Sequence, residues 1–292
     1  MSDIFDRAFF DMLGRLYLPA SVRPDRGLVG ARKSSAKGSS VEFSDFREYI
    51  PGDDPRRIDW NAYGRFDRLY VKQFMEEKEV FYHIVLDSSG SMDYGEPSKR
   101  IMALRLCGAC AYMIGRQMDR VQIDTLSDGQ ITKSIALKSK NAFAMLLGEL
   151  EKLVFSGRTD LEAGIQRLRF NGRGNVILIS DFLDPKGIEG AIRYLTFMGQ
   201  KTTLMRVCAR EEEAFTEEGS LELKDKETGE VIRVTMSPDT LSRYGDRLVS
   251  HENELRRICR RYDCKYIKVC ADEEPGKALI GAMMREGILC SE

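Results

Sequence analysis

Histidine is almost missing from these 292 residues, with two in all, and tryptophan occurs once. That scarcity leaves little room for imidazole chemistry. His83 falls inside an apolar run, where it reads as a satisfied strand residue, and His251 reads as a helix-surface residue, so neither stands ready as a general base. The chain has no G-x-S-x-G elbow and no G-x-x-x-x-G-K-[ST] phosphate loop, which removes two common routes to hydrolysis. No apolar run approaches the ~20 residues that a membrane helix needs. The opening residues lack the basic start and cleavage site of a signal peptide, so no membrane insertion is expected. An excess of charge is missing too. With 45 Lys and Arg against 46 Asp and Glu, no global field draws the chain to nucleic acid, and no nucleic-acid partner is expected. The seven cysteines are odd in number and scattered through apolar periodic segments, which argues against a disulfide scaffold and for a reducing, cytoplasmic setting. Cys107 and Cys110 have CxxC spacing, but they lie inside a helical pattern and read as buried small side chains.

What is present is an alternation. Apolar residues make up 42% of the chain, enough for a sizeable core. Residues 3–17 carry helical spacing, residues 27–40 read as a basic Gly/Ser loop, and residues 41–74 read as short strands and turns dense in aromatics and arginine. From residue 80 the pattern changes to buried strands at 80–86, 176–180, 202–207 and 265–269, separated by helices at 98–118, 141–155, 161–168, 188–197, 238–262 and 276–285. Ser127-Asp128-Gly129-Gln130 marks a hairpin between strands at 121–126 and 131–136, and residues 211–236 read as a hairpin insertion. The expected fold class is α/β, a mostly parallel central sheet with helices on both faces, plus an N-terminal strand-rich layer. The expected division is 1–79 for the accessory region and 80–292 for the sheet domain.

In such sheets ligands bind beyond the carboxyl ends of the strands. Directly after the first buried strand stands Asp87-Ser88-Ser89-Gly90-Ser91, in which Asp87, Ser89 and Ser91 alternate and can aim three oxygens at one point. Thr159 lies in a loop before a helix, and Asp181 follows a buried strand directly. An all-oxygen donor set of this kind suits Mg2+, or Mn2+, rather than zinc. The bland reading is that each residue is a turn-former or helix cap. It accounts for each one separately but not for all five at one sheet edge. A phosphatase with an aspartyl nucleophile normally places a second Asp two residues on, where this chain has Ser89.

This D-x-S-x-S, Thr, Asp order resembles the metal-ion-dependent adhesion site of the von Willebrand factor A fold. The resemblance implies that Ser89, Ser91 and Thr159 touch the metal, that Asp87 and Asp181 often act through water, and that an acidic side chain of a partner protein fills the open position. Phe46-Arg47-Glu48-Tyr49, Pro51-Gly52-Asp53-Asp54, Arg57-Ile58-Asp59-Trp60 and Val71-Lys72-Gln73-Phe74 further resemble the hallmark block of the bacterial "domain of unknown function 58" family, across nearly the whole chain from about Gly27. Many relatives carry N-terminal membrane segments that have no counterpart here. The usual Ala-Arg after the Trp is here Asn61-Ala62-Tyr63-Gly64-Arg65. Within the block, Trp60, Tyr49, Phe43 and Phe46 read as core anchors and the charged residues as a turn network. The competing reading is a partner surface of Arg47, Tyr49, Asp53, Arg57, Asp59 and Trp60. Family members are commonly encoded beside MoxR-type AAA+ ATPases, so the resemblance implies an accessory or adaptor role in assembly or remodelling, without catalysis. The alternative is a Mg2+-dependent hydrolase acting on a phosphorylated substrate.

Overall fold

The computed structural model describes residues 4, 5, 10, 11, 13, 16, 17, 41–76 and 80–292, apart from 118, 138–141, 171, 274–280, 282, 285–289 and 292. The basic loop expected at 27–40 and most of the helix expected at 276–285 lie outside these residues. The chain divides into two compact units, residues 23–79 on one side and residues 1–22 with 80–292 on the other. The first 22 residues therefore group with the sheet domain: Phe5, Phe10 and Leu13 are buried in its core.

The larger unit is built on a six-stranded sheet. Its strands are β4 (Phe81–Asp87), β5 (Arg120–Ser127), β6 (Gln130–Leu137), β7 (Gly174–Ser180), β8 (Gln200–Cys208) and β11 (Lys265–Cys270), in the order β11-β8-β7-β4-β5-β6. All neighbours are parallel except β5 and β6. That pair is joined through Asp128 and Gly129, both at positive φ (51° and 65°), as a two-residue hairpin requires. The strand periodicity of two sorts side chains onto two faces. Tyr82, Ile84, Leu86, Ile177, Ile179, Met205, Val207, Ile267 and Val269 join one core, and Val85, Val176, Leu178, Leu204 and Tyr266 join the other. The first core takes helix α2 (Lys99–Arg116), with Cys107 and Cys110 fully buried, and α3 (Phe143–Glu151). The second takes α4 (Leu161–Gln166), α5 (Glu189–Phe197) and the end of α7 (Pro238–Arg261). The α/β class with a mostly parallel, doubly covered sheet is thus the observed architecture.

Three local expectations change. Leu16–Tyr17 is strand β1, paired antiparallel with β12 (Cys290–Ser291), rather than the end of a helix. A short helix, α6 (Arg210–Glu213), follows β8 before the hairpin of β9 (Gly219–Lys224) and β10 (Val231–Met236). His251 is half-buried and meets the backbone of Phe182 instead of standing on an open helix surface.

The smaller unit pairs β2 (Val41–Glu48) with β3 (Tyr70–Glu76), and residues 60–66, expected as turn, form helix α1 (Trp60–Phe66). Asp59 caps it, accepting from Asn61 N and Ala62 N at 2.9 and 3.2 Å. The guanidinium of Arg47 forks onto Asp53 at 2.7 and 2.6 Å, and Asp53 also accepts from Ile50 N. That pair closes the Pro51-Gly52 turn, where Gly52 has φ +109°. Arg47, Asp53 and Asp59 therefore serve local structure. Tyr49 is half-buried and Arg57 exposed. Trp60 is not a core anchor: it is 63% exposed and meets Tyr63 edge to face, and Phe46 is exposed as well.

Candidate functional site

The site grows from strand adjacency. β4 and β7 are parallel neighbours with Leu86 opposite Ile179, so their carboxyl ends bring Asp87 next to Ser180 and Asp181. Ser180 Oγ donates to Asp87 Oδ2 at 2.6 Å, and Ser89 N donates to Asp87 Oδ1 at 3.0 Å. The hydroxyls of Ser89 and Ser91 touch at 3.0 Å. Asp87 and Ser89 are fully buried and Asp181 nearly so. Burial pushes the Asp87 carboxyl up to about 7, and the negative charge of Asp181 adds to the rise. Two acids thus share a dry corner at the strand ends.

Thr159 arrives by a clamped loop. Gly90 N donates to Gly157 O at 3.0 Å and Ser156 N to Ser88 O at 2.8 Å, which pins residues 156–159 against the Asp87–Ser91 turn. On its other side, Asp128 N donates to Arg158 O at 2.7 Å and Arg158 N to Asp128 Oδ1 at 2.8 Å. Gly157 sits at φ +81°, and a Cβ there would lie 2.3 Å from Asp128 Oδ2 and 2.4 Å from Ser127 Oγ. Only glycine fits that position. All five sequence-predicted residues therefore belong to one connected patch, three in a single turn and two brought in by the sheet and the loop.

Four further residues complete the patch. Lys99, fully buried at the first turn of α2, donates to Asp181 Oδ2 at 2.7 Å and to Glu212 Oε1 at 2.5 Å. Burial works against its charge, but Asp181 and Glu212 outweigh that and its pKa is raised. Thr159 donates from Oγ1 to Glu227 Oε1 at 2.6 Å and from N to Glu227 Oε2 at 3.1 Å. With Ser180 as the bridge to Asp87, these are the residues that the sequence reading missed. Lys99 had one signal: a cation opening a helix opposes the macrodipole preference for acids there, which points to a fixed partner. Glu212 and Glu227 had none beyond lying in the interruption of the α/β alternation.

The donor chemistry fits a hard divalent cation. The patch offers Asp87, Asp181, Ser89, Ser91 and Thr159 as oxygens; Lys99 pairs with Asp181 and Glu212, and Glu227 accepts from Thr159. Among the described residues, no group of three or more His, Cys, Asp or Glu side chains is placed to hold a metal. A set of two carboxylates and three hydroxyls contains only two such residues. The histidines stand apart from this role. His83 pairs with Asp124 at 3.3 Å inside the sheet, and burial, followed by the charge of Arg206, lowers the pKa of His251.

Among the described residues no helix is long and apolar enough to cross a membrane. Uncharacterized proteins of Mycobacterium bovis and Mycobacterium tuberculosis are each 23% identical over 279 residues, covering 93% of this chain and 88% of theirs. Among solved structures, the conserved hypothetical protein BatB from Bacteroides thetaiotaomicron is 17% identical and aligns with a TM-score of 0.43, covering 71% of this chain and 98% of that one. The family described as "Protein of unknown function DUF58" matches residues 45–254, and this chain belongs to that family.

Proposed function

We propose that the chain is a metal-dependent protein-interaction module of the von Willebrand factor A kind, working in the cytoplasm without catalysing a reaction. Asp87, Ser89, Ser91, Thr159 and Asp181 would hold Mg2+, or Mn2+ in its place. When bound, the ion supplies an electrophilic position that accepts a carboxylate from a partner protein. The observation that carries the reading is the convergence of the Asp87–Ser91 turn, the Asp181 strand end and the clamped Thr159 loop on one sheet edge. The partner expected from the family resemblance is a MoxR-type AAA+ ATPase, for which this chain would act as adaptor in assembly or remodelling.

The protein's own residues divide the work. The Asp87 and Asp181 carboxylates set the charge, the serine and threonine hydroxyls set the geometry, and the buried strand ends exclude water from their inner side. The test is Mg2+ titration of thermal unfolding. At about 100 times the dissociation constant, a ligand of the native state adds about 2.7 kcal/mol. A rise in Tm with Mg2+ in the wild type, absent in Asp87→Ala, is expected. An identical response in both proteins refutes the site. Affinity capture from the native cytosol, with Mg2+ against EDTA, then identifies the partner. Phosphatase turnover lost in Asp87→Ala would instead establish the hydrolase alternative.

A further inference from the structure

We propose that Cys208 and Cys270 form an oxidation site, at which a hydroperoxide converts the two thiols into a reversible disulfide between β8 and β11. The pair is placed by strand register. Cys208 ends β8, Cys270 ends β11, and the two are direct partners in the parallel ladder. Neighbouring strands lie about 4.7–4.9 Å apart, inside the Cα separation of roughly 4.4–6.8 Å that a disulfide spans. The sulfurs already touch at 3.1 Å, although they stand 62 residues apart in sequence. β11 is the edge strand of the sheet, and access differs across the pair: Cys270 is half-buried and Cys208 fully buried. Cys107 and Cys110, which have the CxxC spacing, are instead fully buried in α2, where burial pushes Cys110 up to about 12.

That asymmetry assigns the roles. The hydrogen bond from Cys208 is the main reason that the Cys270 thiol lies below its ordinary value; Lys268 adds to the effect, against burial and the charges of Glu273 and Glu213. The same contact, together with burial, raises Cys208 and keeps it protonated. Its proton has a second acceptor in Val269 O, 3.6 Å away. Cys270 is therefore the attacking thiolate and Cys208 the resolving thiol. The Cys270 sulfur attacks the peroxide, an S–O bond forms, the O–O bond breaks, and the leaving hydroxide takes a proton to become water or an alcohol. The Cys208 sulfur then displaces the oxygen from Cys270: the S–S bond forms, the S–O bond breaks, and the Cys208 proton leaves with the departing hydroxide as water. Two thiols are oxidised and one hydroperoxide is reduced. A thiol-disulfide exchange with a cellular dithiol reverses the step, as a transient disulfide in a reducing compartment requires. The bond fixes the edge strand next to Ala209, the residue that opens α6, whose Glu213 also accepts from Lys268 of β11.

The bland alternative is a pair of small sulfurs packed at a strand end without chemistry. The full chain is reduced, freed of reductant and treated under native conditions with hydrogen peroxide. It is then quenched with N-ethylmaleimide, unfolded, and analysed by intact mass and peptide mapping. The expected product has lost about 2 Da, carries a Cys208–Cys270 cross-linked peptide, and returns to the starting mass with dithiothreitol. Cys270 should react at least about 10-fold faster than Cys107 or Cys110, whose thiols are buried. In Cys270→Ser, Cys208 should stay a free thiol. In Cys208→Ala, Cys270 should stop at the sulfenic acid and be trapped by dimedone. The wild-type mapping decides the matter by itself if either variant fails to fold. Peroxide-treated wild type in which Cys208 remains alkylatable, whether Cys270 is untouched or overoxidised, overturns the proposal, and so does a disulfide that joins other cysteines.

Discussion

Replacing Lys99 by methionine is the sharpest test of the charge arrangement at the strand ends. The side chain is fully buried and its ammonium is shared between Asp181, itself 1% exposed, and Glu212. Methionine keeps the volume of the stem and removes the charge, so Asp181 is left buried without its cation. Breaking a buried pair by removing one partner costs about 3–5 kcal/mol, because the remaining charge keeps its desolvation penalty. Against a total stability of about 5–15 kcal/mol that is a large share. For a unit of this size it corresponds to a Tm lower by about 6–20 °C. The assay is urea and thermal unfolding in EDTA of wild type, Lys99→Met and the double variant Lys99→Met/Asp181→Asn. Removing the stranded carboxylate recovers part of the loss, as a coupled pair requires. Mg2+ raises the Tm of Lys99→Met by more than that of the wild type, since the ion meets an acid with no competing cation. A loss below about 1 kcal/mol in Lys99→Met, or a double variant less stable than the single one, would refute the account.

Two other perturbations probe what holds the site. Gly157→Ala forces an L-residue to φ +81° against Asp128 and Ser127; we expect a stability loss of about 1–2 kcal/mol or more and a weakened Mg2+ response, read by unfolding and titration. Asp124 lies largely buried, and burial alone raises its pKa, but hydrogen bonds from His83, Ser134 and Gln122 overcome this and leave it below the ordinary value of 3.8. A depressed folded-state pKa contributes stability above the unfolded value and loses it as pH falls through the folded one. Asp124→Asn is therefore less stable than wild type by about 1.5–3 kcal/mol near neutrality, and the gap in urea midpoint closes at the acid end; a gap independent of pH sinks the argument.

The sheet strands and the first half of the site were legible because they are local. The apolar run of β4 needs no partner to be recognised, and its end presents Asp87, Ser89 and Ser91 at fixed spacing. Asp128-Gly129 declares its hairpin through the positive φ that both positions adopt. Helix α1 escaped because its one clear start signal, Asp59, stands among other turn-forming acids, and Gly64 weakens its helical pattern. Trp60 misled for a different reason. Aromatic bulk predicts burial only on average, and whether a core exists beneath a side chain is decided by the packing of other segments.

What the sequence determined by itself is the alternation of strand and helix, the two-faced burial of the central strands, and an oxygen-rich turn at the end of β4. Tertiary structure alone decided which groups surround that turn. Lys99 meets Asp181 and Glu212 across 82 and 113 residues, and Glu227 meets Thr159 across 68. Such contacts leave no trace in spacing, since they depend on strand order and on where an insertion folds back. Periodicity encodes which face of an element is buried, but only the packed sheet brings the ends of separate elements to one point.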